Sequence, residues 1–274
     1  LILTLHDIIF LENRQGSSKS LYQNMGRCYR RLVVPRILPK CRKIITVSHF
    51  ECNRIRETLH LPENKIMAIY NGFSNHFQPL DNIETVTQKY IPVTGYLFFL
   101  GNTDPKKNTP RTLKAYYSYL QQSKEKRPLL IADLKPEFVD EMLKETGLEN
   151  IRPYLYLPGY IPNTDLPFIY NGAFAFLYTS LRESFGIPLL EAMACGIPVI
   201  TSDTSSMPEI GGEGAILTDP TDERSIAAQL LLLEQDKEYY QKQSAYGLGR
   251  AKCFSWEQTA RELLKLYQST VKSK

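Results

Sequence analysis

Short, fully apolar runs recur along the chain and alternate with longer segments that have helical periodicity. Apolar runs without polar alternation are typical of strands buried on both faces, as in parallel sheets. The amphipathic segments between them predict the crossover helices that parallel strands need. Strands are predicted at residues 1–5, 43–48, 65–72, 96–101, 128–133, 151–157, 174–179, 197–201 and 214–217. The pattern therefore predicts an α/β chain with parallel sheets.

Capping residues and breakers mark the predicted helices. Ser48 followed by Glu51 forms a capping box, and Asn108 is a predicted N-cap for the helix after the strand at 96–101. Further helices are predicted at residues 136–146, 221–234, 237–252 and 255–274. Each lies between or after predicted strands, as crossover helices do.

Residues 20–34 are predicted to form a basic amphipathic helix that Pro35 ends. Its predicted inner stripe is Leu21, Met25, Cys28 and Leu32, and its predicted outer face carries Lys19, Arg27, Arg30 and Arg31. From residue 13 to residue 50 the chain has nine Lys or Arg and no Asp or Glu. The basic segment 19–43 fits a solvated face, and it equally fits an anionic bilayer surface or a lipid diphosphate.

Two carboxylates flank a predicted ligand-binding edge within residues 174–201. This stretch is predicted as strand, loop, helix and strand, with the helix beginning near Gly186. Open α/β sheets bind ligands where strand ends meet helix N-termini, whose N–H groups favour anions. Glu183 lies in the loop, and Glu191 lies on the second turn of a helix that is apolar nearly all round. Charge alone favours two solvated surface acids, but a Glu in a buried helix is costly unless it has a partner.

The sequence GAFAFLYTSLRESFGIPLLEAMACGIPVITSDTSSMPEI resembles the donor-binding signature of the retaining family 4 glycosyltransferases. That family has the GT-B fold, in which two doubly wound, Rossmann-like domains face a cleft. Glu183 and Glu191 match the two acids of its ExxxxxxxE motif. The resemblance implies that Glu183 contacts the transferred sugar, that Glu191 holds the ribose, and that backbone amides hold sugar and phosphate. Those amides belong to Ser184, Phe185, Gly186 and Ile187, and Ser184 stands where many members have Gly.

A second loop at the same edge carries positive charge. Lys106 and Lys107 follow the strand at 96–101, and two solvated loop lysines are the plain alternative to a phosphate site. The family places a Lys followed by Gly or Asn here to bind the diphosphate, and Lys107 and Asn108 match. Asn102 stands where many members carry Arg. The resemblance to mannosyltransferase-like members with a PRKN-like loop implies that Lys106 supplies the missing charge.

Three residues outside these loops are also assigned by the resemblance. His6 follows the first strand as part of an HD pair, and the family implies that it faces the cleft near the sugar and the acceptor. A lone His after a strand is by itself more typical of a structural residue. Gly159 and Tyr160 correspond to residues that lie against the nucleotide base. Glu183 and His6 are thus the predicted catalytic residues.

The length of 274 residues fits two domains. Residues 1–77 are predicted to form a partial acceptor-side domain on which the helix 255–274 packs back, and residues 78–254 the nucleotide-sugar-binding domain. A buried parallel strand at the first residue needs neighbours on both sides. We therefore expect that the first domain lacks its N-terminal side.

Cysteine content, hydropathy and missing motifs limit the compartments and the classes of enzyme that fit this sequence. The five scattered cysteines have no CxxC pair, which predicts reduced thiols in the cytosol, and no apolar run reaches the ~20 residues of a membrane span. Any membrane contact is therefore expected to be peripheral, at the inner face.

The chain has no GxGxxG or GxSxG motif and no DxD pair, which argues against a nicotinamide dehydrogenase, a serine hydrolase and a metal-held diphosphate. The basic segment has no nucleic-acid recognition pattern.

The resemblance implies a retaining hexosyltransferase that moves a mannose-like sugar from a GDP-sugar or UDP-sugar to a hydroxyl of a glycan or lipid-linked glycan. No metal cofactor is expected. Two alternatives stay open: a module that binds a nucleotide sugar without turnover, and a GT-B nucleotide-sugar epimerase.

Overall fold

The computed structural model of the chain describes residues 1–12 and 21–272. The chain divides into two compact units, one formed by Leu1–Gly72 with Phe254–Lys274 and the other by Phe73–Cys253. In chain order the elements are β1 (Ile2–Thr4), α1 (Leu21–Ile37), β2 (Lys43–Thr46), α2 (His49–Thr58), β3 (Ile66–Ala68), α3 (Glu84–Thr87), β4 (Tyr96–Leu100), α4 (Thr109–Gln122), β5 (Leu129–Ala132), α5 (Pro136–Thr146), β6 (Leu155–Gly159), α6 (Leu166–Gly172), β7 (Ala173–Tyr178), α7 (Ile187–Ala194), β8 (Val199–Ser202), α8 (Met207–Gly211), β9 (Ile216–Thr218), α9 (Glu223–Gln235), α10 (Lys237–Ala251) and α11 (Trp256–Lys272).

The first unit contains a three-stranded parallel sheet in the order β1, β2, β3. The two faces of β2 are covered by different helices: Ile44 packs in a cluster with Ile55 of α2, and Ile45 packs against Leu266 of α11. The predicted strand at residues 1–5 is present as β1. β1 is an edge strand of the described sheet, and its residues are partly exposed because it pairs there with β2 alone.

The last helix is anchored to the backbone of the first unit. The hydroxyl of Thr259 donates to the carbonyl oxygen of Tyr70 at 2.6 Å, and the Phe254 ring lies 5.5 Å from the Tyr70 ring. A Cβ on Gly72 would lie 2.1 Å from the backbone nitrogen of Trp256. Only glycine therefore permits this close approach of the two chain segments.

The predicted inner stripe of α1 is wrong, whereas Arg30 and Arg31 are exposed as predicted. The guanidinium groups of Arg27 and Arg31 donate to the carbonyl oxygen of Phe10 at 2.9 and 2.8 Å, which holds the basic face against the loop after β1. The apolar face of α1 is consequently exposed. It consists of Met25, Cys28, Tyr29 and Leu32, and we call it the α1 stripe. α1 also continues to Ile37 through Pro35, which removes one backbone hydrogen bond without ending the helix. Lys19 and the side chain of Leu21 lie outside the described residues.

The second unit contains a six-stranded parallel sheet in the order β6, β5, β4, β7, β8, β9. The chain starts in the middle at β4, moves outward through β5 to β6, and then returns to β7 beside β4. From β7 it moves outward in the opposite direction. The neighbours β4 and β7 therefore enclose a topological switch point, the place where doubly wound sheets bind ligands.

Both faces of this sheet are buried, which explains the continuous apolar runs. Leu97 of β4 packs in one cluster with Leu113 of α4, whereas the ring of Phe98 makes an edge-to-face contact with that of Tyr170 of α6, at 5.2 Å between ring centroids. The predicted strand at 151–157 begins later, at β6. A 3-10 helix, Glu149–Tyr154, precedes it and contains Pro153, which has no N–H to donate to a sheet.

Candidate functional site

A lysine and a glutamate meet at the switch point. Lys107 ends the 3-10 turn Pro105–Lys107 after β4, and Glu183 lies in the loop after β7. Lys107 Nζ lies 2.6 Å from Glu183 Oε1, and the two side chains are 24% and 14% exposed. The pair is therefore shielded but still reachable from solvent. The structure brings the predicted sugar-contacting acid and the predicted phosphate-binding lysine into one ion pair.

Asn108 fixes the geometry of the lysine turn. Its φ of 62° lies in the left-handed region, which Gly and Asn tolerate best. Its side-chain amide donates to the carbonyl oxygens of Thr179 at 3.1 Å and Pro220 at 2.7 Å, which ties the turn to the end of β7. Asn108 is the N-cap residue of α4 as predicted, but its side chain does not cap the first turn: its Oδ1 accepts from the Arg111 guanidinium at 3.2 Å. The left-handed backbone gives a physical reason for Gly or Asn after the lysine.

The N-terminus of α7 opens into the Glu183 loop. Gly186 is its N-cap residue, with φ at 96°, and a Cβ there would lie 2.6 Å from the methyl carbon of Met207. Gly186 has no side chain to cap the first turn, which begins at Ile187 and Pro188. The helix dipole and the first-turn amides therefore present partial positive charge beside Glu183.

Glu191 lies on α7 in aromatic surroundings. It is half-buried, and the hydroxyl of Tyr170 donates to its Oε2 at 3.4 Å. Burial raises the pKa of Glu191 to about 7, and the Tyr170 hydrogen bond opposes that rise. Ligand hydroxyls that donate to this carboxylate would favour its ionised form.

Tyr178 is a site residue that the sequence pattern conceals, because it reads as an ordinary residue of a buried strand. Its ring centroid lies 5.4 Å from Lys107 Nζ, and its hydroxyl is hydrogen-bonded with the Glu183 carboxylate. Burial first, and then the nearby Glu183 carboxylate, raises the pKa of Tyr178 well above its ordinary value. The hydroxyl therefore stays protonated and donates to Glu183.

The other predicted donor-binding residues lie in loops at the carboxyl edge of the same sheet. The Asn102 side chain accepts from the backbone N–H of Asp104 at 2.9 Å, so it shapes the lysine turn. Lys106 Nζ lies 3.9 Å from Asp104 Oδ2. Gly159 ends β6 with φ at 75°, and the Tyr160 side chain after it is 72% exposed. Because β5 separates β6 from β4, these two residues belong to a more peripheral part of the edge.

His6 follows β1 in the first unit. Its carbonyl oxygen accepts from the hydroxyl of Thr46 at 3.2 Å, and the neighbouring Asp7 carboxylate accepts from the N–H of Ile9 at 3.0 Å. These bonds hold the backbone after the strand. The acceptor-side role of His6 stays a prediction.

Within residues 1–12 and 21–272, no three His, Cys, Asp or Glu side chains come together as potential metal ligands. No helix in the same ranges combines the length and the apolar composition of a transmembrane helix.

Solved glycosyltransferase structures have the same fold. The chain aligns over its full length with sucrose-phosphate synthase from Thermosynechococcus elongatus, at a TM-score of 0.78 and 21% identity, covering 68% of that chain. It aligns over 98% of its length with Anabaena Alr3699/HepE in complex with UDP and glucose, at a TM-score of 0.78 and 16% identity, covering 71% of that chain. The fold is therefore GT-B, as the resemblance implies.

Sequence comparison identifies the family. Residues 92–250 match the model of glycosyl transferases group 1, and residues 1–75 match that of glycosyltransferase family 4. O-antigen chain mannosyltransferase B of Escherichia coli is 32% identical over 271 residues, which cover 97% of this chain and 70% of that protein. Serotype-specific mannosyltransferase WbdA of Escherichia coli is 27% identical over 79% of this chain, which spans 27% of WbdA. O-antigen chain mannosyltransferase RfbU of Salmonella typhimurium is 26% identical over 76% of this chain, which spans 56% of RfbU. The chain thus belongs to glycosyltransferase family 4, and its predicted resemblance to mannosyltransferases is confirmed.

Proposed function

We propose that the chain transfers a mannose-like hexose from a nucleoside diphosphate sugar to a hydroxyl of a glycan or lipid-linked glycan, with retention at the anomeric carbon. The observation that carries this proposal is the ion pair of Lys107 and Glu183, 2.6 Å apart at the switch point and beside the N-terminus of α7. The relatives named as mannosyltransferases of O-antigen chains support the sugar and the acceptor class. The PKKN loop, similar to that of mannosyltransferases, makes a GDP-sugar the first candidate donor and a UDP-sugar the second.

Breaking the bond between sugar and diphosphate builds positive charge on the sugar and negative charge on the leaving group. In the proposed complex, Lys107, Lys106 and the first turn of α7 bind the diphosphate, because fixed positive charge stabilises it without a metal ion. Glu183 contacts the hexose, and Glu191 accepts hydrogen bonds from the ribose.

In the proposed reaction, the ion pair of the free protein has to open before Lys107 can bind the donor. Lys107 and Glu183 neutralise each other before the donor arrives. A diphosphate carries more negative charge than a carboxylate and therefore competes for Lys107. Once Lys107 binds the phosphate, Glu183 becomes available to the sugar hydroxyls, while Tyr178 continues to hold its carboxylate.

Residues farther from the Lys107 and Glu183 pair also have roles in the proposed complex. Gly159 and the exposed Tyr160 lie against the nucleotide base, and Asn102 shapes the turn that carries the lysines. The unit Phe73–Cys253 is the nucleotide-sugar-binding domain, and the other unit is the acceptor-side domain. His6 of that unit lies near the acceptor hydroxyl and the transferred sugar.

Replacing Lys107 by alanine is expected to weaken the binding of GDP and UDP about tenfold, because one charge-assisted hydrogen bond is lost while Lys106 and the α7 N-terminus remain. Isothermal titration calorimetry measures the change. Lys114→Ala, on the exposed face of α4, is the matched control and should bind like the wild type. Equal nucleotide affinities of the Lys107→Ala variant and the wild type would contradict a role of Lys107 in binding the diphosphate.

The whole proposal is tested by thermal shifts of the wild-type chain with GDP, UDP and their hexose derivatives, since a ligand of the folded state raises the melting temperature. Ligands that raise it are then assayed for transfer to a glycan acceptor. Binding with transfer supports the proposal. Binding without transfer indicates a nucleotide-sugar-binding module, a rearranged donor indicates an epimerase, and no shift with any nucleotide contradicts the donor site.

We also propose that the α1 stripe within the basic segment 19–43 contacts an anionic bilayer at the inner face of the membrane. Its Met25, Tyr29 and Leu32 side chains are 72%, 66% and 58% exposed. The exposed Arg36 follows at helical spacing, and the surrounding segment has no acidic residue. Apolar exposure together with positive charge is the combination that an anionic lipid surface binds.

Leu32→Ser is expected to lower binding to vesicles of phosphatidylglycerol and phosphatidylcholine about tenfold, because one leucine side chain no longer enters the bilayer. Co-sedimentation measures the bound fraction. Leu232→Ser changes another exposed leucine, on α9, and should bind like the wild type. If the wild type stays in the supernatant, the stripe is a solvated face. If it binds neutral vesicles equally well, the positive charge has no role, and the proposed preference for an anionic surface is contradicted.

A further inference from the structure

Hydroxyl side chains of one segment hold the backbone of another at the donor site. The hydroxyl segment, residues 202–206, begins with the last residue of β8, and the Glu183 loop, residues 180–183, follows β7. The first two bonds run from Ser202 Oγ to the carbonyl oxygen of Ser180 at 2.5 Å and from Thr204 Oγ1 to that of Leu181 at 3.4 Å. The Glu183 loop lies outside helices and strands, so its backbone groups need partners of this kind.

The other two bonds of the hydroxyl segment reach Glu183 itself. The backbone N–H of Glu183 donates to Ser205 Oγ at 3.1 Å, and Ser206 Oγ donates to the Glu183 carbonyl oxygen at 2.9 Å. Both backbone polar groups of the predicted catalytic acid are therefore bound by two consecutive serines. Ser206 is fully buried, and Ser205 has a left-handed φ of 55°. A non-glycine residue in that region is uncommon and persists where surrounding contacts demand it.

We propose that Ser205 and Ser206 are positioning residues for Glu183, an inference that rests on the proposed transfer reaction. The carboxylate of Glu183 is held at its tip by Lys107 and Tyr178. Lys107 leaves this contact when a diphosphate binds in the proposed reaction. From then on, the two serine bonds and Tyr178 determine where the carboxylate lies, and small displacements of a catalytic group are costly in rate.

Two substitutions at Ser205 separate its hydroxyl from its backbone conformation. Ser205→Gly accepts the left-handed φ without strain but removes the acceptor of the Glu183 N–H. We expect it to lower kcat about tenfold while GDP affinity stays within about twofold, because the phosphate-binding groups are untouched. Ser205→Asn also tolerates this φ and offers a side-chain oxygen, so it should recover most of the lost kcat.

Ser206→Ala is expected to lower kcat about tenfold, since the Glu183 carbonyl oxygen then keeps a single donor, the guanidinium of its neighbour Arg182 at 3.0 Å. Thr204→Ala is the matched control: its residue is exposed and its bond is the longest of the four, so kcat should not change. If kcat and GDP affinity fall together in Ser205→Gly and Ser206→Ala, and Ser205→Asn restores neither, the serines are structural residues only.

Hydrogen exchange of the Glu183 amide tests the contacts without any turnover. Ser205→Gly and Ser206→Ala should speed this exchange, whereas Thr204→Ala should leave it as in the wild type. Unchanged exchange in both serine variants would overturn the proposal. If the wild type transfers no sugar, the proposed function fails, and the exchange measurement still decides whether the serines hold Glu183.

Discussion

Glu183→Gln is expected to lower kcat of sugar transfer by about 10²–10³-fold, the loss seen when one group that stabilises a transition state is removed. Glutamine has nearly the shape of glutamate but carries no charge to face the positive sugar. Nucleotide binding should change in the opposite direction. Lys107 no longer has to leave a carboxylate 2.6 Å away, so GDP should bind as tightly as to the wild type or more tightly.

Initial rates at saturating donor and acceptor, together with calorimetric titration by GDP, measure both quantities. Glu141→Gln, on the exposed side of α5, is the control for loss of one negative charge and should match the wild type. Near-normal kcat in Glu183→Gln would show that Glu183 has no part in transfer. Weaker GDP binding would show that the carboxylate does not compete for Lys107.

Glu191→Gln is expected to change stability and nucleotide binding in opposite directions at high pH. Burial raises the pKa of Glu191 from 4.5 to about 7, so the folded protein binds this proton more tightly than the unfolded chain does. The resulting stabilisation is present below pH 4.5 and is lost as pH rises through about 7. At pH 8, the variant should therefore exceed the wild type by about 2–3 kcal/mol in free energy of unfolding, and at pH 4 by almost nothing.

The same substitution is expected to weaken GDP binding at pH 8 by about 10- to 100-fold, since hydrogen bonds to a charged group are worth about 1.5–3 kcal/mol. Urea unfolding between pH 4 and pH 8 measures the first effect, and calorimetric titration between pH 6 and pH 8 measures the second. Wild-type affinity should rise over this range, whereas the affinity of Glu191→Gln should stay flat. Parallel pH profiles of stability for the two proteins would contradict the burial of this acid, and parallel profiles of affinity would contradict the ribose role.

The location of Glu183 and Lys107 at one edge of the sheet is predictable from sequence because of their place beside strands. Glu183 and Lys107 each follow a fully apolar run, and parallel strands bring their carboxyl ends to one edge. Glu191 stands out in the sequence because burying an acid in an otherwise apolar helix is costly unless the acid has a partner. The order of the strands, which makes β4 and β7 neighbours, is a property of the whole sheet. Before the structure is known, the resemblance to the family indicates that the lysine turn and the Glu183 loop meet. The hydrophobic pattern does not indicate it.

Features that depend on long-range partners are not predictable in this way. The periodicity of α1 gives its apolar stripe but not its direction, because the carbonyl oxygen of Phe10, which binds Arg27 and Arg31, carries no sequence signal. Asn108 is the N-cap residue of α4 as predicted, but its side-chain amide bonds to Thr179 and Pro220, far along the chain. The run of hydroxyl residues after β8 reads as a polar loop, and only its contact with Glu183 reveals a further role.

The central claim is that a nucleoside diphosphate sugar binds between the lysine turn and the N-terminus of α7. A crystal structure of the chain with a bound GDP-hexose or UDP-hexose tests it most directly. We predict the diphosphate within hydrogen-bonding distance of Lys107 Nζ, the hexose at Glu183 and the ribose hydroxyls at Glu191. A nucleotide bound elsewhere, with the Lys107 and Glu183 pair still intact, would contradict the claim.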